Sequence, residues 1–447
     1  MESEVMADSF LAYNEELNIF QRPIQFVGIQ GRQVSTCYPI NDYTSQGIIS
    51  FSIPAHGSAY IDLKNIKLNI TCKIVKKDGG KMVSPTENKG SCGPVCNTLH
   101  SIWSRVDVSL QGKLLTHSDN NYPYLAYLKA LLNTTNAQEN TLQAQLFYPD
   151  KAGSFDSTEW YVSDNPAFKT RSQFFDCSQE VDMSGNLACD VLDINRYIPN
   201  GVSLDVKLYP ANPEFFLMSK DADIATTGGY RMVITKASLE VPKVHLSPEI
   251  VIAHSQVLDA NNKAIFPFMS SEIKCHNVQK GAYDCEINNP FSGRVPSEIL
   301  ITMVKDTARN GSYGNNPFNF SHVNLSSINF TVDSQDVGGG TIKTNYGDKA
   351  YKSNYIEAYK TLIGVNGQDC SIPITRLEYP EGYCLYRYVV SAEGSDGSDD
   401  VISLKRSGNV RLYMTFKKAL IESYTVILWA KFPSALELDK SRAIRVL

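Results

Sequence analysis

LHSIWSRVDVSLQGKLLTHSDNNYPYLAYLKALL, residues 99–132, is the stretch from which the fold can be read. Val106, Val108 and Leu110 alternate with polar residues, the period-two pattern of a half-buried strand. Gln111-Gly112 is a tight-turn pair, and a second short strand follows it. Pro123 stands where the first turn of a helix tolerates proline, and Leu125, Leu128, Leu131 and Leu132 form one apolar stripe beyond it. The stretch therefore predicts strand, turn, strand and helix. A fainter copy lies some two hundred residues on. There Ile328, Phe330 and Val332 alternate and Asp333-Ser334-Gln335 supplies the polar turn. Asn121-Tyr122 ahead of Ala126-Tyr127 is echoed by Asn354-Tyr355 ahead of Ala358-Tyr359.

Outward from this block the alternation continues. Ile66, Leu68, Ile70, Cys72 and Ile74 point one way, with Lys67, Asn69, Thr71 and Lys73 opposite. Val202, Leu204, Val206 and Leu208 are stopped by Pro210; Val410, Leu412, Met414 and Phe416 match them near the other end. Each of these runs precedes a last apolar strand, RMVITKASLEV (231–241) and YTVILWAKF (424–432). The second is apolar on both faces, as a central strand is. Similarity at a spacing near 200 residues means two copies of one β-module, since solenoid repeats are about 20–50 residues long. The segment ENTLQAQLF (139–147) predicts a further helical turn or two. Residues around 150–180, 210–230, 335–352 and 391–400, rich in Asp, Ser, Gly and Asn, read as surface loops. KVHLSPEIVIAH (243–254), bracketed by Pro242 and Pro248, reads as the connection. The expected modules are 1–244, with an N-terminal arm, and 245–447, with a C-terminal tail. Many short strands and few helices predict an all-β chain of sandwich or jelly-roll modules.

The composition fits. At 447 residues the chain suffices for two cores of about 200 residues each, neither needing disulfides or metal. With a net charge of −5 and no dense run of Lys or Arg, no nucleic-acid arm is expected. No apolar run reaches the roughly 18 residues of a membrane span. MESEVMADSF lacks the basic and apolar regions of a signal peptide, so a reducing compartment and free thiols are expected for the ten cysteines. Asn-x-Ser/Thr occurs six times, but Asn69 and Asn329 fall inside strands, which is wrong for glycan acceptors.

A search for chemistry returns little. Asp78-Gly79-Gly80-Lys81 lacks the spacing of a phosphate loop and reads as a hairpin turn, and no dinucleotide, nucleophile-elbow or zincin motif is present. CGPVCNTLH places Cys92, Cys96 and His100 at four-residue intervals, with His117 further on. Thiolates and imidazole bind zinc, yet Cys-x3-Cys is loose and no second pair lies near; the alternative is a Gly-Pro loop tucking two small apolar side chains inward. Asp396, Asp399 and Asp400 offer oxygen ligands for calcium without the spacing of an EF-hand, against the alternative of a solvated loop tip. His254, His276 and His322 neighbour apolar residues and read as β-sheet histidines. No catalytic residue, cofactor site or metal site is expected, and the chain reads as a non-enzyme.

HSIWSRVDVSLQGKLL, NNYPYLAYLKALL and AQLFYPD together resemble a block in the capsid genes of Polinton/Maverick elements and the related adintoviruses, whose genomic relics occur in invertebrates. ASLEVPKVHLSPEIVIAH (237–254), ARNGSYGNNPFNFSHVNL (308–325) and YTVILWAKFPSALELDKSR (424–442) extend the resemblance, in order, over residues 99–442. The resemblance implies a hexon-like double jelly-roll major capsid protein: two eight-stranded jelly rolls side by side, three chains to a pseudo-hexameric capsomer of an icosahedral virion. Its implied partners are two further copies, neighbouring capsomers, the penton protein and minor or cement proteins. It implies synthesis in the host cytoplasm, with nuclear assembly left open. At this length the capsomer should be low on top. The rivals are a penton protein at five-fold vertices, usually one jelly roll, an intracellular carbohydrate- or partner-binding β-sandwich, and a sandwich-fold hydrolase lacking a visible site.

Overall fold

The computed structural model describes residues 28–42, 47–55, 57–82, 92–133, 140–158, 164–220, 224, 228–347, 352–363, 374–391 and 404–447. Eight main strands come from the N-terminal half: β1 (Ile29–Cys37), β2 (Ile49–Ile53), β3 (Lys67–Lys76), β4 (Trp103–Leu110), β5 (Lys113–Leu114), β6 (Val181–Asn186), β7 (Leu204–Pro210) and β8 (Tyr230–Leu246). Eight more follow: β9 (Ala264–Val278), β10 (Asp284–Asn288), β11 (Glu298–Lys305), β12 (Leu325–Val332), β13 (Gln335–Asp336), β14 (Tyr386–Val389), β15 (Val410–Phe416) and β16 (Tyr424–Leu438).

The hydrogen-bonded order is β1-β8-β3-β6 and β2-β7-β4-β5 in the first half, β9-β16-β11-β14 and β10-β15-β12-β13 in the second. Adding eight to every strand number converts the first pair of sheets into the second. Each pair is a jelly roll, and the chain is a double jelly roll. Even the small additions match. Tyr60–Ile61 pairs with the far end of β8, and Ile444–Val446 pairs with the far end of β16.

The local chemistry behind this repetition is plain. In β3 Leu68, Ile70, Cys72 and Ile74 are buried while Lys67 is exposed, so burial of one face fixes the register. The β4–β5 hairpin turns at Gln111 and Gly112 (φ 49° and 72°), and β12–β13 at Asp333 and Ser334 (φ 50° and 65°). Both are two-residue loops with φ positive at both central positions, the type I′ geometry whose twist suits flanking strands. β16 runs between β9 and β11 and is buried almost throughout, as its double-sided apolar pattern predicts.

Among the described residues four longer helices accompany the sheets: α1 (Tyr122–Asn133), α2 (Pro166–Phe174), α3 (Pro248–Asp259) and α4 (Ile356–Ile363). α1 and α4 follow the two hairpins, so the duplicated block is real in three dimensions. Three expectations need correction. Residues 150–180 are not only surface loop, because they contain α2, with Phe168, Arg171 and Ser172 buried. Within 210–230, Pro213–Phe216 is helical and Leu217–Ser219 is a buried strand. The 243–254 connection is the end of β8 plus most of α3, so His254 sits on a helix, its Nδ1 3.1 Å from the Tyr60 hydroxyl. Asn-Asp-Ser-Gly composition reports exposure on average; it does not register a helix whose one buried face is held by an arginine.

Candidate functional site

The buried apolar side chains of both halves form one continuous cluster, and its middle is the junction between the two jelly rolls. α1 lies there. Leu128 and Leu131 are buried as the stripe predicts, but Leu125 and Leu132 are only half-buried. Tyr122, Tyr124 and Tyr127 take the better-packed positions because the helix is covered from both sides. Phe318, from the second jelly roll, stacks on Tyr127 with centroids 4.1 Å apart and planes 7° apart, and meets the edge of Tyr124 at 5.8 Å. Such ring pairs add about 0.5–1.5 kcal/mol beyond area burial.

Behind the aromatic layer is a buried polar lock. Asp150 and Arg171 are fully enclosed, with Arg171 Nη2 2.6 Å from Asp150 Oδ1. Arg171 also donates from Nε to the Pro94 carbonyl (3.0 Å) and from Nη1 to the Tyr148 carbonyl. Asn165, the N-cap of α2, donates to the same Asp150 oxygen at 2.8 Å. The second jelly roll supplies the remaining donors: Asn316 Nδ2 to Asp150 Oδ2 (3.1 Å) and the Tyr383 hydroxyl to the Asp150 carbonyl (2.6 Å). A buried ion pair is tolerable only when its remaining donors and acceptors are satisfied, and here the neighbouring module satisfies them. Next to it Asp156 accepts from the Asn316 backbone N–H (2.8 Å) and Asn319 Nδ2 (3.0 Å). Gly382 (φ 115°) lets Phe155 close in; a Cβ there would lie 2.3 Å from its ring. Elsewhere along the junction Asp190 accepts from the Ser271 N–H at 2.6 Å, and Tyr313 donates to the Tyr230 carbonyl at 3.0 Å. The site holds two barrels in one orientation.

The candidate metal residues are placed otherwise. His100 is buried, its Nδ1 2.8 Å from the Tyr122 hydroxyl and its Nε2 3.1 Å from Gln145 Oε1, so both nitrogens are engaged within the fold. Burial pushes its pKa down to about 4. His117 is exposed. Cys92 begins a short buried strand, Cys92–Pro94, paired with Leu217–Ser219. Cys96 is enclosed, and burial pushes its thiol up to about 12, far from the thiolate a metal requires. The Gly-Pro loop has a packing cause: a Cβ on Gly93 would sit 1.9 Å from Ser172 Oγ on α2. Asp396, Asp399 and Asp400 lie outside the described residues. Among the described residues no group of three or more His, Cys, Asp or Glu could hold a metal ion, and none of the nine described cysteines is disulfide-bonded. Between the modules a polar groove of ≈ 500 Å³ is lined by Asp156, Asp164, Glu381 and His322. The bonds to Asp156 make it part of the junction, while the Asn324 N–H donated to His322 Nδ1 (3.0 Å) is a local bond within the second jelly roll.

Asp150, Arg171, Asn316, Phe318 and Tyr383 were not singled out by sequence reasoning. A signal existed: AQLFYPD ends on Asp150, and ARNGSYGNNPFNF contains Tyr313, Asn316 and Phe318. Two of the segments that carry the family resemblance are therefore the segments that meet at the junction.

The structural neighbours are double jelly-roll viral major capsid proteins. A chain of the Sputnik virophage superposes with a TM-score of 0.62 at 11% identity, covering 100% of this chain and 94% of that one. The mavirus major capsid protein gives 0.52 at 12% identity, covering 100% and 97%, and the Faustovirus major capsid protein 0.53 at 10%, covering 96% and 92%. In sequence the chain is 22% identical over 409 residues to Uncharacterized protein F54H12.2 of Caenorhabditis elegans, spanning 90% of this chain and 94% of that protein. No family model matches the chain. Among the described residues no helix is long and apolar enough to cross a membrane.

Proposed function

We propose that this chain is a structural protein, the major capsid protein of an icosahedral virion, and that three copies form its capsomer. One observation carries the reading: two jelly rolls of identical strand order are locked side by side by a buried network. Three such chains about a three-fold axis present six similar barrels, and a trimer can then occupy a hexagonal lattice position. The modules are assigned to 1–244 and 245–447. In this reading the chain has no catalytic role and takes no cofactor. Its partners are two more copies, neighbouring capsomers, a penton protein and minor capsid proteins. The motifs over residues 99–442 support a finer assignment to a Polinton/Maverick or adintovirus-like element, and a relative in a nematode fits an element carried in animal genomes.

The test is native mass with negative-stain imaging of the purified chain. A stable homotrimer with a pseudo-hexagonal outline is expected, with an interface of the order of thousands of Å². A pentamer would instead identify a vertex protein. A well-behaved monomer at micromolar concentration would point to a carbohydrate- or partner-binding β-sandwich.

A further inference from the structure

The contact between the two jelly rolls joins unlike faces. The first jelly roll contributes the start of α1, where Asn121 Nδ2 donates to the Ile273 carbonyl at 3.4 Å and Asn121 Oδ1 accepts from the Cys275 thiol at 3.4 Å. The second contributes β9, on which Ser271 and Ile273 are buried. A head-to-tail contact of this kind leaves each partner with one face unused, and repeated by rotation it closes a ring. The unused faces are α4, the counterpart of α1, and β1, the counterpart of β9.

Both are exposed where their counterparts are covered. Counted from the Asn-Tyr and Ala-Tyr pairs that the helices share, Asn354, Glu357 and Lys360 stand where α1 has Asn121, Leu125 and Leu128. All three are exposed, whereas Asn121 and Leu128 are buried and Leu125 is half-buried. β1 has nine residues and β9 fifteen, and α1 covers the last part of β9. At the corresponding end β1 gives way to Tyr38 and Ile40, 72% and 70% exposed. Fraying does not account for this, because the Ile40 N–H donates to the Ser50 carbonyl at 2.9 Å. Ile48, also exposed, lies beside them, its carbonyl accepting from Asn41 Nδ2.

We propose that α4 of one copy packs against Tyr38 and Ile40, at the end of β1, in the next copy, repeating between chains the contact that α1 makes with β9 within the chain. The proposal rests on the trimer reading above and names its contact surface. It also accounts for the change of side chains. α1 is covered as the chain folds and can carry leucines, whereas α4 stays in water until copies meet, and Glu357 and Lys360 keep it from being an apolar patch.

The test places the photo-crosslinker p-benzoylphenylalanine at position 38 in one variant and at position 360 in another. Both positions are exposed, and an unchanged native mass is the control for folding and assembly. Mixing isotopically labelled with unlabelled copies separates crosslinks between chains from those within one. The variant at 38 is expected to crosslink between chains to a peptide containing residues 352–362, and the variant at 360 to one containing residues 29–42. A trimer whose crosslinks from both positions fall elsewhere, or that yields none, overturns this contact and leaves the capsomer reading standing. A monomer overturns both.

Discussion

His100 sits at about pKa 4 because it is buried, against an ordinary value of 6.5. A base whose folded pKa is depressed stabilises the fold fully above pH 6.5, and that contribution is lost as pH falls towards 4. The whole effect is on the order of 3 kcal/mol. Urea unfolding between pH 7 and 4 should therefore show falling stability, and His100→Gln should flatten that slope. Arg171 differs in kind, since its charge is fully enclosed with Asp150. Arg171→Met leaves the carboxylate buried without its cation, and about 3–5 kcal/mol should be lost. A urea midpoint within error of wild type would refute the lock. Val106→Asp places a charge among core side chains of β4, and insoluble or unfolded protein is expected. Soluble, cooperatively unfolding variant would mean that this strand position is misassigned.

At the scale of elements, the strand Cys92–Pro94 is held by packing against α2, and the thiols of Cys92 and of Cys96 beyond it are buried. Reductant and chelator together should then leave the melting temperature unchanged, and a drop with chelator alone would reinstate Cys92, Cys96 and His100 as a metal site. Most strands were readable because one buried face imposes period two, and α1 because Pro123 and a leucine spacing mark its start and side. α2 and the polar lock were not readable. Asn316 and Tyr383 stand 166 and 233 residues from Asp150, and nothing local in either segment records a partner at that distance. α3 was missed for a related reason: its apolar residues face outward as well as inward, so no stripe distinguishes it from a linker. Asn-Tyr…Ala-Tyr, a weak pattern alone, was informative because strand, turn and helix recur around it in the same order.

For the whole molecule, a continuous core with a shared ion-pair network predicts joint unfolding. Calorimetry should give one transition, with the calorimetric enthalpy equal to the van't Hoff value; two transitions would show that the barrels are energetically separate. The net charge of −5 predicts weak binding of duplex DNA at physiological salt. Tight binding with a steep salt dependence would contradict this and reveal a basic face assembled by the fold.

The pairing of first strand with last in each barrel sets a timetable for synthesis. β1 must wait for β8, and β9 for β16, whose far end pairs with β9 on one side and Ile444–Val446 on the other. At about 5–20 residues per second, the N-terminal strand waits on the order of ten to forty seconds for its partner to leave the ribosome. The second barrel can close only after the ribosome has passed β16. A prematurely terminated product would therefore lack the central strand of its second barrel, and with it a finished surface to offer a neighbour. Chains that stop short of β16 are in this way left with an unfinished second barrel by the order of translation itself.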